Sequence, residues 1–244
     1  MNIHFIGTKG YIKESNSKHK YHSSLYITHK NTKILIDCGI GWENKKFKLK
    51  PVNAILLTHW HPDHTYGLKN NELPYKPPVY ATKDTWKHIE KFPITHRKII
   101  KYNKKFMIDD ITIEPFEVLH TLKYDAVGYK ITVNNKSFFY VSDMISIMKK
   151  QKALKNILFY IGDGSVVNES LIRRDKKTGK IYGHSSIKAQ ASMCSKQGVN
   201  KMYVTHCGTE IVTNWKYVKK EIKKIENKYK IDIIIVYEGM RLSI

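Results

Sequence analysis

Hydrophobic positions in the first part of the chain fall into short runs of strand length, about 4–8 residues each. Two pairs of runs predict hairpins, one around residues 29–32 and one around Asn134 and Asn135, because asparagine tolerates positive φ. A continuous apolar run at 54–58 predicts a buried strand. The predicted strands cover residues 1–7, 24–28, 33–37, 54–58, 106–107, 111–116, 129–133, 136–141 and 231–237.

The hydrophobic period changes later in the chain, where spacings of three and four replace short runs. Residues 214–229 predict an amphipathic helix, and residues 186–197 predict another. An earlier short helix is predicted at 84–91, with Asp84 as its N-cap and Pro93 ending it. The apolar stripe of the longest helix consists of Trp215, Val218, Ile222, Ile225 and Tyr229.

Length and composition limit the class of protein. The 244 residues contain no internal repeat and no Gly/Ser-rich linker, so we expect one domain over 1–244. No apolar run reaches the ~18 residues of a membrane span, and no charged leader precedes an apolar stretch. We therefore expect a soluble, cytoplasmic protein with no membrane partner. The cysteines Cys38, Cys194 and Cys207 are odd in number and far apart, which argues against a disulfide framework or a cysteine zinc cluster.

The formal net charge of +22 has two explanations. All but four of the 43 basic residues are lysines, which suggests biased residue usage as much as a selected basic surface. A charge of this size nevertheless attracts polyanions and raises their encounter rate. A nucleotide or nucleic-acid substrate is therefore one expectation, and residue-usage bias stands beside it.

Residues 58–64 read Thr-His-Trp-His-Pro-Asp-His and concentrate metal-binding side chains directly after the predicted strand at 54–58. Pro62 stops that strand from extending. Imidazole nitrogens and carboxylate oxygens are ligands that Zn²⁺ takes up, so the run predicts a metal site. The alternative is a solvated histidine-rich loop. The candidate ligands are His59, His61, Asp63 and His64.

Three more candidate ligands follow apolar strands later in the chain: His120, Asp143 and His206. One lone histidine after a strand is more often structural. Four ligand clusters at four strand ends indicate a shared site, because side chains on loops held by buried strands are well placed for chemistry.

These clusters, in this order along the chain, resemble the metallo-β-lactamase fold superfamily. Residues 35–39 resemble its early Asp-x-Gly turn, and residues 237–240 resemble its closing strand. The resemblance implies an α+β fold, a four-layer αββα sandwich of two mixed β-sheets flanked by helices, with metals at one sheet edge. It also implies that Asp37 orients the ligand loop without binding metal.

The resemblance further implies two divalent metal ions. It assigns His59, His61 and His120 to one metal and Asp63, His64 and His206 to the other, with Asp143 bridging them. Two dications about 3.5–4 Å apart repel, so a bridging carboxylate and a bridging hydroxide are needed, and that hydroxide is the expected nucleophile. Asp63 is also expected to orient or deprotonate it. Zinc is the leading metal, with Mn²⁺ and Fe²⁺ as alternatives.

His184, in the run Gly-His-Ser-Ser, lies between Asp143 and His206. It resembles the His-Ser/Thr signature of the phosphodiesterase branch, which includes the tRNA 3′-processing endonuclease and the cyclic phosphodiesterase of phosphonate breakdown. The resemblance implies that His184 contacts the phosphate or protonates the leaving oxygen. Ser185 or Ser186 as a helix cap also favours an anion. The alternative is a residue that merely flanks a helix.

Only 22 residues separate the third histidine from the bridging aspartate, which leaves no room for the long arm of the tRNA-processing enzymes. The spacing is closer to small cyclic or nucleotide phosphodiesterases. A basic loop at 173–180 is the better candidate for holding substrate phosphates, and residues 97–105 mix cations with aromatics as a polyanion path does. The lysine-rich face of 214–230 is interpreted as a solvated surface. His22 is expected near the pocket.

Together these features predict a dinuclear metal-dependent hydrolase of phosphodiesters, either small cyclic or nucleotide diesters or single-stranded nucleic acid. A hydrolase of a lactone, thioester or other ester is the first alternative. A non-catalytic nucleic-acid-binding protein that keeps the fold is the second, and the intact ligand set argues against it. Homodimers are common in the family, so a homodimer is also an expectation.

Overall fold

The computed structural model describes residues 1–42, 51–70, 75–121 and 126–244. Short strands dominate this part of the chain, as the apolar runs predict. The strands are β1 (Asn2–Gly7), β2 (Ser24–His29), β3 (Thr32–Ile36), β4 (Ala54–Leu56), β5 (Val79–Ala81), β6 (Arg97–Ile99), β7 (Phe106–Ile108), β8 (Ile111–Leu119), β9 (Ala126–Val133), β10 (Lys136–Tyr140), β11 (Ser146–Ile147), β12 (Phe159–Asp163), β13 (Leu171–Arg174), β14 (Ile181–His184), β15 (Lys201–Thr205), β16 (Asp232–Ile235) and β17 (Arg241–Ser243).

The helices are α1 (Pro62–Thr65), α2 (Lys83–His88), α3 (Lys150–Leu154), α4 (Ile187–Lys196), α5 (Thr209–Thr213) and α6 (Trp215–Tyr229), with a 3₁₀ turn at Tyr66–Leu68. In the part of the chain that the structure describes, no helix is long and apolar enough to span a membrane. The α4 helix begins where Ser186 accepts a hydrogen bond from the Ala189 amide, which confirms one of the two predicted caps.

The strands form two large mixed sheets and one small sheet. The first sheet has the order β17-β1-β2-β3-β4-β5-β6, antiparallel up to β3 and parallel from β3 to β6. The second has the order β11-β8-β9-β10-β12-β15-β16, with β7 beside β8. Among the described strands, β13 and β14 pair only with each other, in a separate antiparallel sheet.

Three apolar clusters separate four layers. The middle cluster lies between the sheets, and strand alternation supplies it; Phe138 and Tyr140 of β10 face it, whereas Phe139 between them belongs to the outer cluster. Leu35 of β3 and Trp86 of α2 belong to the cluster outside the first sheet. The outer face of the second sheet packs against α3, α4 and α6. This arrangement confirms the predicted αββα sandwich.

Both predicted hairpins are present. Strands β2 and β3 pair through Lys30 and Asn31, a shorter connection than the predicted four residues. Strands β9 and β10 pair through Asn134 and Asn135, which both adopt positive φ (48° and 62°), as a two-residue hairpin turn requires.

Three details of the sequence reading are wrong. The α2 helix is capped by Thr82, whose side chain accepts from the Thr85 amide, while Asp84 lies in the first turn. Trp215 is 49% exposed, because it begins α6 where the helix has not yet packed on the sheet. Residues 237–240 form a turn with Gly239 at φ +92°, and the closing strand is β17, which follows them.

Candidate active site

All seven side chains predicted as metal ligands meet at one edge of the sandwich. They reach it because β4, β8, β10 and β15 end there. The carboxyl ends of strands from both sheets thus supply the cluster. Asp63 and His64 lie on the short helix α1 and not on a loop, because Pro62 at the first helical position favours a helical turn. The ligand candidates are buried except for half-buried His61.

Several overlapping groups of three side chains in the cluster are close enough to hold an ion, and two of them are the trios that the family resemblance implies. The potential ligand atoms of His59, His61 and His120 lie within 4.8 Å of one another, and so do those of Asp63, His64 and His206. Their roles as ligands remain a prediction, but the grouping has the donor set and spacing that divalent metal sites need.

Asp143 lies between the trios and contacts both sides of the cluster. Its Oδ2 is 3.0 Å from Nε2 of His64, and its Oδ1 is 3.2 Å from Nε2 of His206 and 3.9 Å from Nε2 of His120. Oδ1 thus lies between members of both trios, and a single carboxylate in this position is suited to bridge two cations.

Hydrogen bonds from the outer ring nitrogens fix the orientation of the histidines. Nδ1 of His64 donates to Oδ2 of Asp37 (2.9 Å), and Nδ1 of His120 donates to the Gly183 carbonyl (2.9 Å). Nδ1 of His206 lies 3.0 Å from the hydroxyl of Ser165. With Nδ1 engaged, Nε2 is the nitrogen that faces the cluster, and it offers the lone pair that a metal ligand needs once it carries no proton.

Asp37 supports the ligand motif from outside, as the resemblance implies. Its Oδ1 accepts from the Thr58 amide (2.8 Å) and its Oδ2 from the Thr58 hydroxyl (2.8 Å), in addition to His64. Gly39 allows this turn to pack against α1, because a Cβ at this position would lie 1.8 Å from the Asp63 carbonyl oxygen.

Unsatisfied buried atoms test whether a cation fits. Nε2 of His120 is buried and has no hydrogen-bond partner among the described residues. A buried polar atom left in this state costs roughly 1–3 kcal/mol. Nε2 of His64 and Oδ2 of Asp143 are also buried and lie 3.0 Å from each other. With the imidazoles deprotonated, all three atoms present lone pairs to one cluster, so divalent cations there would satisfy them.

Protonation in the cluster follows from burial and from neighbouring charges. Burial lowers the pKa of His61 to about 4 and also lowers that of His59, which keeps both imidazoles neutral. In His206, burial also acts to lower the pKa, but Asp143 and other carboxylates outweigh burial and raise the pKa to about 10. The pKa of His64 is raised for the same reason. Without a cation, protons on these imidazoles balance the carboxylates, and a dication would replace them.

His184 lies beside the cluster, at the end of β14 and not within α4. Its Nδ1 is 2.8 Å from Oδ2 of Asp163, which is fully buried, and 3.1 Å from the hydroxyl of Ser165. Burial alone would lower the pKa of His184, but Asp163 outweighs burial and raises it. The Asp163 carboxylate is itself held ionised, since the neighbouring imidazoles of His184 and His206 lower its pKa against the effect of burial.

Sequence reasoning missed Asp163. It ends an apolar strand, β12, much as Asp143 follows β10, and this position is the one signal in the sequence that points to it. Ser165 was missed too, and no pattern in the sequence distinguishes it. The side chains of Asp163 and Ser165 each lie close to both His184 and His206.

A cavity of about 550 Å³ opens on the cluster. Tyr11, 64% exposed, and Leu171 from the small sheet are part of its wall. His22 does not line the cavity as expected; it is buried behind Gly10, to whose carbonyl its Nδ1 donates (3.1 Å). The polar residues of the wall include His61, Asp63, His120, Asp143, Ser165, His184, His206, Thr209 and Glu210.

An αββα sandwich with a histidine–aspartate cluster at its strand ends defines the metallo-β-lactamase class of fold, which implies divalent metal binding. Residues 32–207 match the family model described as the Beta-lactamase superfamily domain, and the chain belongs to this family.

Relatives in this family carry nuclease names. The exodeoxyribonuclease WalJ of Streptococcus pneumoniae is 30% identical over 137 residues, 50% of this chain and 49% of that protein. The chain thus spans about half the length of the curated exodeoxyribonuclease relatives it matches. Ribonuclease Z of Oceanobacillus iheyensis is 22% identical over 84% of this chain and 89% of its own. The metallo-beta-lactamase fold protein YhfI of Bacillus subtilis superposes with a TM-score of 0.75 at 18% identity, over 99% of this chain and 98% of its own, which shows a shared fold.

Proposed function

We propose that the protein is a phosphodiesterase that uses two divalent metal ions, with zinc the leading candidate and Mn²⁺ or Fe²⁺ the alternatives. The observation that carries the proposal is His184, which lies in the same cavity wall as members of the predicted ligand cluster and is held from behind by the buried carboxylate of Asp163. The names of the relatives, exodeoxyribonuclease and ribonuclease Z, support a phosphodiester substrate.

The ligands would be the two trios described above, with Asp143 between them. When bound, the ions supply an activated water and positive charge for the phosphate oxygens. Asp63 is held ionised, because the imidazoles of His64 and His206 lower the pKa of its buried carboxyl well below the usual range against the effect of burial. Its carboxylate is therefore a hydrogen-bond acceptor that would orient the attacking group.

His184 provides the acid on the leaving-group side. Asp163 and Ser165 hold its Nδ1, so the proton on Nε2 is the one available in the cavity. A sugar alkoxide is a poor leaving group and gains from protonation as the phosphorus–oxygen bond breaks. A thiolate, with a thiol pKa near ~8.5, leaves without such help, so an acid here favours phosphodiesters over thioesters.

Metal analysis and hydrolysis of bis(p-nitrophenyl) phosphate test the activity. We expect about two metal ions per chain and metal-dependent cleavage of the diester. A metal-loaded protein that leaves the diester intact but opens lactones or thioesters would show that the substrate assignment is wrong. If it cleaved none of these yet bound polynucleotides, the non-catalytic alternative would hold.

The role of His184 has a separate test, because Asp163, His184 and His206 are also close enough to hold an ion. We expect His184→Ala to lower dinucleotide cleavage by about 10²–10⁴-fold, the usual contribution of general acid catalysis, with metal content unchanged. His96→Ala, at an exposed histidine outside the cavity, is the matched control. Loss of metal in His184→Ala would make this residue a ligand.

A further inference from the structure

The small sheet forms a hairpin, residues 171–184, that belongs to neither large sheet; we call it the arm. Its strands pair from Leu171 opposite His184 to Arg174 opposite Ile181. All four residues of β13 are exposed, including Leu171 (49%) and Ile172 (48%). The sequence predicted only a basic loop here, because its strands lack a buried apolar face.

The base of the arm is fixed to the candidate active site. The Gly183 amide donates to the His120 carbonyl (2.9 Å), and Nδ1 of His120 donates to the Gly183 carbonyl (2.9 Å). Gly183 has φ +126°, and a Cβ there would lie 1.8 Å from the Leu171 carbonyl oxygen, so only glycine fits. The last arm residue is His184. A molecule held by the arm therefore lies at a defined position relative to the ligand cluster.

The tip of the arm is an ordered turn. Oδ1 of Asp175 accepts from the amide and the hydroxyl of Thr178, both at 2.7 Å, and Arg174 donates to the Gly179 carbonyl (2.6 Å). Gly179 adopts φ +68°, which suits this turn. An ordered backbone at the tip keeps the cationic residues close together, so less backbone entropy is lost on binding.

The arm presents a concentration of positive charge. Five basic residues stand against one carboxylate, Asp175, which is engaged in the turn. Apart from Arg174, the arm has four cations. Within the described part of the chain, none of these four forms an ion pair with a carboxylate. Exposed, unpaired cations on one rigid element match the repeated phosphates of a nucleic-acid backbone. These four cations are Arg173, Lys176, Lys177 and Lys180.

We propose that the arm binds the backbone of a single-stranded polynucleotide whose scissile phosphodiester lies in the cavity. This inference rests on the proposed function and names its substrate class. Each four-residue strand extends about 13 Å at ~3.3 Å per residue. At the ~3.4 Å spacing of phosphates along one strand of a fully stacked helix, this length covers at most about four nucleotides, and fewer when the strand is extended. The four cations of the arm do not line the cavity, so a mononucleotide or cyclic diester there meets only the base of the arm.

Two further features favour a single strand. Exposed Tyr11 in the cavity wall provides a face on which an unpaired base stacks. Leu171 at the base of the arm adds exposed apolar surface in the same wall. Bases in a duplex are already stacked and paired, so these surfaces act only on unpaired nucleotides.

The test replaces the four arm cations together, as R173Q/K176Q/K177Q/K180Q, and spares Arg174 because it shapes the tip. The matched control, K216Q/K219Q/K220Q/K228Q, removes the same charge from exposed positions of α6 that do not line the cavity. Binding of fluorescent oligothymidylates of 2 to 10 nucleotides is measured by anisotropy at several salt concentrations. Cleavage of the same oligomers and of bis(p-nitrophenyl) phosphate is measured with metal-loaded protein.

In the parent protein, affinity is expected to rise with length up to about four nucleotides beyond the cleaved bond. The arm variant should lose this length dependence, bind long oligomers at least tenfold more weakly, and lower the salt slope by up to about three, since each single-strand contact contributes ~0.7. The control should keep the length dependence, and cleavage of the small diester should change less than twofold in both.

Three results would overturn the inference. Equal losses of oligomer affinity in both variants would indicate an effect of net charge alone. A fall in small-diester cleavage in the arm variant would indicate a damaged site, and a changed oligomeric state would make the arm a subunit contact. Length-dependent binding by a parent protein that cleaves no diester would contradict the proposed function and leave the arm assignment standing.

Discussion

Replacing Asp163 by asparagine is the sharpest test of how the candidate acid works. The Asp163 carboxylate accepts hydrogen bonds from three donors: Nδ1 of His184 at 2.8 Å, the Ser165 amide at 2.8 Å and the Met144 amide at 3.2 Å. Asparagine has the same shape but replaces one oxygen by an NH₂ group. In either orientation, that group faces a donor.

The expected loss of activity is estimated from the hydrogen bond between Asp163 and His184. A hydrogen bond to a charged group contributes about 1.5–3 kcal/mol. At 1.36 kcal/mol per tenfold change, Asp163→Asn should therefore slow a step that needs protonated His184 by roughly 10- to 150-fold. Because Asp163 raises the pKa of His184 against burial, its removal lowers that pKa. The acid is lost as pH rises through its pKa, so the alkaline limb of the pH–rate profile should move to lower pH.

The assay compares two diesters of one nucleotide. A dinucleotide releases a sugar alkoxide, which needs a proton, whereas a p-nitrophenyl ester releases p-nitrophenolate, which does not. We expect the full loss in kcat/KM with the dinucleotide and little loss with the p-nitrophenyl ester. Asp232→Asn makes the same chemical change at an exposed position on β16 and serves as the control.

Equal losses with both substrates would refute the acid role and indicate that Asp163 and His184 hold the phosphate. A fall in bound metal in Asp163→Asn would instead place them among the ligands. Thermal unfolding of each variant separates these outcomes from misfolding.

Three further predictions concern the supports of the site. Asp37→Ala should weaken metal affinity about 10–100-fold, measured by competition with a chelator, because Asp37 orients His64; unchanged affinity would contradict this role. Metal loading at pH 7 should release about one to two protons per chain, measured by calorimetry in buffers of different ionisation enthalpy, because His64 and His206 have raised pKa values and are protonated before a cation binds; zero release would be inconsistent with these shifts. Gly198→Ala, with positive φ in open space, should show only the backbone cost of roughly 1–3 kcal/mol, a fall in Tm of about 2–12 °C. Gly183→Ala should lower Tm by more than this control, because its Cβ would in addition lie 1.8 Å from the Leu171 carbonyl oxygen; equal falls would contradict the close contact.

The fold and the ligand cluster could be predicted because their signals are local. Apolar runs ended where strands end, and the motif at 58–64 placed ligands directly after one of them. Asp163 was not recognised, although it has the same position at a strand end, because an aspartate between two glycines also reads as an ordinary turn. Only the contact with His184, 21 residues away, distinguishes the two.

The arm was missed for a different reason. Its strands, Leu171–Arg174 and Ile181–His184, bury little surface, so no alternation of apolar and polar residues marks them. Gly183 is held by a backbone contact with His120, which is 63 residues away and leaves no trace in the local sequence. The absence of an arm between the third histidine and the bridging aspartate therefore did not mean the absence of any arm.

The placement of the ligand trios has a consequence for stability. His59 and His120 come from different sheets, and His64 and His206 do as well, so each ion would cross-link the two halves of the sandwich. Such a link closes chain loops of many tens of residues, which removes entropy from the unfolded chain. Unfolding would then require metal release, and the protein's heat resistance would increase with free metal concentration, as for any ligand that binds only the folded state. In this respect the catalytic ions would serve as removable staples between the two sheets.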